Sequence, residues 1–285
     1  MTSFSDKILT SPQYLIPQHL LSQLMLKFTR WKMGAITHWI IKRFIKYYDV
    51  DMTAAELPEV RDYASFNQFF TRALKPTARP LADVEIISPV DGEISQIGQI
   101  SDGKLLQAKG HFFRLADLLG GNREMETKFA QGLFCTLYLS PKDYHRIHIP
   151  ATGRLTDMVY VPGRLFSVNQ RTARVVPNLF ARNERVICLF ETELGSMALI
   201  LVGALFVGSI ETVWAGIITP NQYAQIQNWH YVEKEAPVLQ RGEEMGRFNM
   251  GSTVIVLLDA NHVGWLPELT EQKKVLMGEG LARSL

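Results

Sequence analysis

A chain of 285 residues, 47% hydrophobic and 20% charged, is long enough to bury one sizeable core and too apolar for a disordered chain. Its formal net charge of +2 supplies no basic field for nucleic acid, and its two cysteines exclude a disulfide framework. The positive charge lies at one end: residues 7 to 48 hold seven Lys and Arg and no acid, leaving 23 basic against 28 acidic residues elsewhere.

Residues 1 to 75 are expected to be helical. Leu20, Leu24, Phe28, Trp31, Trp39 and Phe44 recur at near-helical spacing among basic residues, and Pro17 and Gly34 divide the segment into shorter helices. Such a stripe can lie on anionic lipid as an interfacial helix, or pack on a core with its basic face solvated; the first reading is favoured, making 1 to 75 a membrane-associating region. Ser65-Phe66-Asn67-Gln68 has capping-box spacing and opens a short helix. Pro76 and Pro80 mark a linker into a β-rich domain, 76 to 285.

Strands are expected at 93–100, 105–108 after the Asp102-Gly103 turn, 133–139, 186–190, 197–204, 210–215 and 253–258, with a helix at 113–119 stopped by Gly120-Gly121. The fold class is therefore α+β, a mostly antiparallel sandwich or barrel with an N-terminal helical appendage. Residues 1 to 12 lack the pattern of a signal peptide. The longest uncharged run, 194–210, is glycine-interrupted and reads as two buried strands rather than a membrane span. Cys135 and Cys188, each in an apolar stretch, read as reduced core cysteines of a cytosolic protein.

The chemistry is concentrated in Met250-Gly251-Ser252-Thr253, at the head of an apolar strand. Ser252 follows a residue without a side chain, so its hydroxyl can add to the Gly251 carbonyl and turn the amide into an ester. β-Elimination would then leave dehydroalanine, which hydrolyses to an N-terminal pyruvoyl group. Such a ketone condenses with an amine to a Schiff base and draws electrons from a breaking bond. The alternative is a serine that bonds its own backbone at a strand start. Asp91, in Ser88-Pro89-Val90-Asp91-Gly92-Glu93, and His145 and His148, in Asp143-Tyr144-His145-Arg146-Ile147-His148, could activate the serine. Asp91-Gly92 is also a plain turn, and the two histidines sit between prolines in an expected loop where either could donate to a carbonyl. No third ligand stands at metal spacing, so no metal is expected.

Further segments run in one order: Lys46-Tyr47-Tyr48-Asp49-Val50-Asp51, Phe66-Asn67-Gln68-Phe69-Phe70, Gln107-Ala108-Lys109-Gly110-His111, Tyr160-Val161-Pro162-Gly163, Pro177 to Arg185, Gly208-Ser209-Ile210-Glu211-Thr212-Val213-Trp214 and Gly242 to Phe248. With the histidine block and the Gly-Ser site, the chain resembles the bacterial, membrane-associated, pyruvoyl-dependent phosphatidylserine decarboxylases. That family's usual Leu-Gly-Ser-Thr reads Met250-Gly251-Ser252-Thr253 here, an isosteric change. The resemblance implies a carboxy-lyase that converts phosphatidylserine to phosphatidylethanolamine and CO2. It implies self-cleavage between Gly251 and Ser252 into chains 1 to 251 and 252 to 285 that stay together, with a pyruvoyl cofactor made from Ser252. Asp91, His148 and Ser252 match the charge relay for that cleavage, and His145 matches the histidine of decarboxylation. Ser167 and Asn169 could meet the serine head group or only cap turns. The resemblance also implies a homodimer, peripheral on the cytoplasmic face of the cell membrane. Two rival classes are a serine hydrolase that keeps its hydroxyl and its whole chain, and a non-catalytic membrane-binding or carrier module.

Overall fold

The computed structural model describes residues 4–108, 110–206, 209–219, 225–249, 252–261 and 263–285. Met250 and Gly251, on which the predicted cleavage site depends, lie outside these described residues.

The N-terminal part is helical: Phe4–Thr10, Gln18–Arg30 after Pro17, and Ala35–Tyr48 after Gly34. Gly34 takes a positive φ of 56°, a conformation in which a side chain would be strained. The short helix Phe66–Phe70 opens as its sequence predicts, Ser65 Oγ accepting from Gln68 N–H while Gln68 Oε1 accepts from Ala64 N–H at 2.9 Å. Ile41, Tyr63, Phe66, Phe69 and Phe70 form a small core of their own between these helices.

The remainder is built on antiparallel sheets. The largest runs in the order Gln227–His230, Gly153–Val161, Arg185–Thr192, Gly195–Val202, Thr253–Leu258, Leu133–Tyr138, Gly92–Gln99 and Lys274–Val275, with Val238–Leu239 also paired to Gly153–Val161. Thr253–Leu258 is buried throughout and is paired over its whole length on both sides, which explains why it reads as an unbroken apolar run. A second sheet orders Gly216–Ile217, Ile210–Thr212, Glu244–Phe248 and Arg146–His148; a third orders Ile86–Ile87, Gly280–Ser284 and Val263–Trp265. Lys104–Ala108 and His111–Arg114 form a hairpin. Asp102 and Gly103 both take positive φ, 50° and 64°, as a tight Asp-Gly reversal requires.

The expectation of mixed helix and antiparallel sheet holds, but no described sheet closes into a barrel. The large sheet ends at strands of four and two residues, too short to seal against one another. The histidine segment, expected to be a loop, is the strand Arg146–His148, paired to Glu244–Phe248. The predicted helix at 113–119 is confined to Leu115–Leu118, because Phe113 belongs to the hairpin. Cys135 and Cys188 are free and fully buried, and burial pushes both thiols up. Among the described residues no helix is long and apolar enough to cross a membrane.

Candidate active site

One end of the large sheet collects the predicted residues. Thr253 and Glu93 both pair with Tyr138, so Ser252 and Asp91 leave their strands on opposite sides of the same neighbour. Leu139 N–H donates to Ser252 O at 3.0 Å. Gly92 allows the approach on the Asp91 side: a Cβ there would stand 2.6 Å from Tyr138 O. The histidine segment enters from the second sheet, where His148 N–H donates to Pro89 O at 2.9 Å and His145 O accepts from Phe248 N–H at 3.0 Å.

The side chains do not form a relay of hydrogen bonds. Asp91, 5% exposed, is held by Arg79, Nε to Oδ1 at 2.9 Å and Nη2 to Oδ2, and accepts from Met277 N–H at 2.8 Å. His148 Nδ1 lies 2.7 Å from Gly242 O and Nε2 lies 3.0 Å from the Tyr144 hydroxyl. A carbonyl can only accept, so Nδ1 carries the proton and Nε2 receives the Tyr144 O–H. Burial above all holds the His148 pKa below the ordinary histidine range, opposed by the Gly242 carbonyl and Glu244. Tyr144 is raised by burial and stays a donor. Arg79, Tyr144, His148, Gly242 and Met277 line a cleft of about 370 Å3.

His145 is completely buried. Its Nδ1–H donates to Asp143 O at 2.8 Å, its ring lies 4.1 Å from that of Phe70, and its Nε2 has no hydrogen-bond partner. Burial pushes its pKa down to about 3. Ser252 Oγ is likewise buried and unbonded. The site end of the sheet thus carries a bare imidazole nitrogen and the neighbouring Ser252 and Thr253 hydroxyls, all buried and without a hydrogen-bond partner among the described residues, each of which costs about 1–3 kcal/mol if left so.

An apolar cavity of about 200 Å3 adjoins them, lined by Phe44, Tyr48, Phe70, Leu139, Ser167 and Phe206 among others. Ser167 therefore faces a cavity bounded by the neighbours of both His145 and Ser252. Asn169 is committed otherwise: its Oδ1 caps the helix Gln170–Val175, accepting from Thr172 N–H at 2.9 Å, and its Nδ2 donates to Ser167 Oγ. Among the described residues no group of three or more His, Cys, Asp and Glu could hold a metal.

Sequence reasoning passed over Arg79, Tyr144 and Phe70. Tyr144 stands inside the histidine block, and Phe70 inside a quoted segment, but their partners become visible only once the sheets are assembled. Arg79 lay in the presumed linker, with nothing local to mark a pairing twelve residues on.

A family model described as phosphatidylserine decarboxylase matches residues 66–283, and a second, described as PSD, matches residues 8–49. The chain is 51% identical over 278 residues to the phosphatidylserine decarboxylase proenzyme of Acidovorax ebreus (strain TPSY), covering 98% of both chains. It is 54% identical over 283 residues to that of Bordetella pertussis, covering 98% of this chain and 95% of the relative. With that of Dechloromonas aromatica it shares 50% identity over 275 residues, 96% of this chain and 97% of the other. Similarity of this extent covers nearly the whole chain, and the chain belongs to the phosphatidylserine decarboxylase family.

Proposed function

We propose that the chain is a proenzyme that cuts itself between Gly251 and Ser252 and then decarboxylates phosphatidylserine to phosphatidylethanolamine. The observation that carries this reading is Ser252 Oγ, buried and unbonded at the head of a central strand. The Thr253 and Thr136 hydroxyls are also buried and unbonded, but Ser252 alone of the three follows a glycine, whose carbonyl its free Oγ can attack. In the cleavage, Oγ bonds to the Gly251 carbonyl carbon, the C–N bond breaks, and the hydroxyl proton ends on the nitrogen. Loss of the Ser252 α-proton then breaks the Cβ–Oγ bond with the Gly251 carboxylate leaving, and water replaces nitrogen as ammonia. The pyruvoyl ketone so formed would supply an electron sink for an amine substrate.

The chain's own groups have definable tasks in this scheme. His148, neutral near pH 7, is the base for the serine hydroxyl once Tyr144 yields Nε2, with Asp91 behind it to stabilise the imidazolium. His145 Nε2 takes the proton that the substrate ammonium sheds and returns it to the α-carbon after CO2 leaves. Ser167 contacts the head group from the cavity wall, oriented by Asn169. A second assignment rests on a specific observation: His145 Nε2 and Ser252 Oγ are both unpartnered, which would suit His145 as the cleavage base.

The membrane reading is supported by the helices' inverted polarity. Gln18–Arg30 buries Gln18, Ser22 and Thr29 and exposes Leu20, Leu24 and Phe28; Phe4–Thr10 buries Asp6 and Thr10 and exposes Ile8 and Leu9. An apolar face without a protein partner beside a basic surface suits anionic lipid. The cavity shares Phe44 and Tyr48 with a larger apolar depression on Ala35–Tyr48, a route for acyl chains. Peripheral attachment at the cytoplasmic face and a homodimer complete the proposal.

The test is the intact mass of the denatured protein. Two fragments, the smaller beginning with pyruvoyl in place of Ser252, bear the proposal out. A single uncut mass that persists on incubation, with Ser252 labelled by an acyl-directed serine probe, overturns it in favour of a hydrolase.

A further inference from the structure

The strand Glu244–Phe248 belongs to the second sheet and Thr253–Leu258 to the large one, so residues 249–252 are the link between two sheets. Both ends of that link are pinned. At the downstream end Ser252 O accepts from Leu139 N–H at 3.0 Å. At the upstream end stands Asn249, 1% exposed, whose every polar group but its carbonyl is taken up. Its N–H donates to Ser209 O at 2.9 Å, its side-chain amide donates to Ser209 Oγ, and its Oδ1 accepts from Asn67 Nδ2 at 3.0 Å. Ser209 is itself fully buried. Asn67 lies on the helix Phe66–Phe70, whose last residue packs against the His145 ring.

A buried asparagine directly after a strand has no need of a side-chain partner from a helix 182 residues away to finish its own sheet. The strand is already paired to Ile210–Thr212 on one side and Arg146–His148 on the other. What the extra bonds do is fix where the link begins, relative both to the second sheet and to the helix that holds His145. With Ser252 O fixed at the other end, only residues 250 and 251 separate the two anchors.

Building on the self-cleavage reading above, we propose that Asn249, clamped by Asn67 and Ser209, is a positioning residue for self-cleavage, fixing the chain two residues upstream of the carbonyl that Ser252 Oγ must reach. An intramolecular attack of this kind gains its rate from geometry, and displacement of the reacting atoms by about 1 Å costs on the order of 100-fold. None of the clamp's hydrogen bonds involves the serine hydroxyl, so its work ends when the peptide bond is cut.

The test follows the conversion of freshly synthesised full-length chain to two fragments by intact mass over time, in wild type and in Asn249→Ala, Asn67→Ala, Ser209→Ala and Asn249→Asp. The three alanine variants should cleave about 10- to 100-fold more slowly. Asn67→Ala combined with Asn249→Ala should be no slower than Asn249→Ala alone, because both remove the same bond. Asn249→Asp keeps the acceptor for Asn67 and lets the Ser209 hydroxyl turn to donate, so it should recover most of the rate. The decarboxylation turnover per pyruvoyl-bearing chain should fall far less than the cleavage rate. Cleavage of the alanine variants at the wild-type rate overturns the clamp, as does an equal fall in cleavage, turnover and melting temperature, which marks a purely structural role. If Asn249→Ala does not fold, the half-buried Asn67→Ala decides by the same readouts. A wild-type chain that never splits overturns the self-cleavage reading itself, an outcome distinct from these.

Discussion

Asp91 is gripped by Arg79, and not by His148, although both side chains approach the same cleft. The pair is largely buried, with side-chain exposures of 16% and 7%. Removing the guanidinium strands a carboxylate without its counter-charge, which costs about 3–5 kcal/mol. Arg79→Met should therefore lower the urea midpoint of unfolding sharply, whereas Asp91→Asn should lower it less.

Ser252→Ala should leave the chain whole and inactive without weakening the fold. The hydroxyl it removes makes no hydrogen bond, so its loss relieves a buried unsatisfied group worth about 1–3 kcal/mol. A melting temperature at or above that of the uncleaved wild-type precursor is expected; a marked fall would reveal a hydrogen bond to that hydroxyl.

The two histidines should separate by step. His148→Ala is expected to remain uncut, while His145→Ala cuts and then decarboxylates at least about 100-fold more slowly, the usual scale of a lost acid–base group. Mass spectrometry and CO2 release read the two steps independently. An uncut His145→Ala beside a cut His148→Ala would establish the second assignment.

Acid should destabilise the fold through the same residues. His145, pushed down to about 3, binds no proton in the native state at pH values where the unfolded chain, with a histidine near 6.5, does. The sign follows: stability is complete above 6.5 and is lost as pH falls toward 3, at up to about 1.4 kcal/mol per pH unit for this one group. His148, also lowered by burial, adds to the slope. Urea midpoints between pH 7 and 5 should fall more steeply for wild type than for His145→Gln.

Leu24→Glu and Phe28→Glu should weaken sedimentation with phosphatidylglycerol-containing vesicles at least about tenfold, since each replaces apolar contact worth roughly 1–3 kcal/mol with a charge repelled by the lipid. Both residues are about half exposed, 54% and 44%, so the melting temperature should hardly change. Equal binding by the variants would remove the helices from the interface.

Much of this was legible in the chain. The Thr253–Leu258 strand, the Ser65 cap, the Asp102-Gly103 reversal and the breaks at Pro17 and Gly34 are local events, and local sequence specifies them. Arg146–His148 escaped because three residues are too few to display a strand's alternation, and its pairing to Glu244–Phe248 spans almost a hundred positions. The stripe on Gln18–Arg30 was visible; that its polar side would turn inward was not, since which face meets the protein depends on what Leu165 and its neighbours offer, here a backbone N–H for Gln18. The residues of the site were nameable, but Arg79 on Asp91 and Tyr144 on His148 are contacts made by assembly.

The strand behind Ser252 lies in the middle of its sheet, bonded for six residues to each neighbour. In the proposed maturation the reactive ketone is therefore spliced into the load-carrying centre of the molecule, where no exchange with a free pool can reach it. A flavin or pyridoxal enzyme that loses its cofactor can be reloaded; this one could not. A single encounter with a ketone-trapping hydrazine or a misdirected reduction would retire the whole polypeptide, and only fresh translation would replace it.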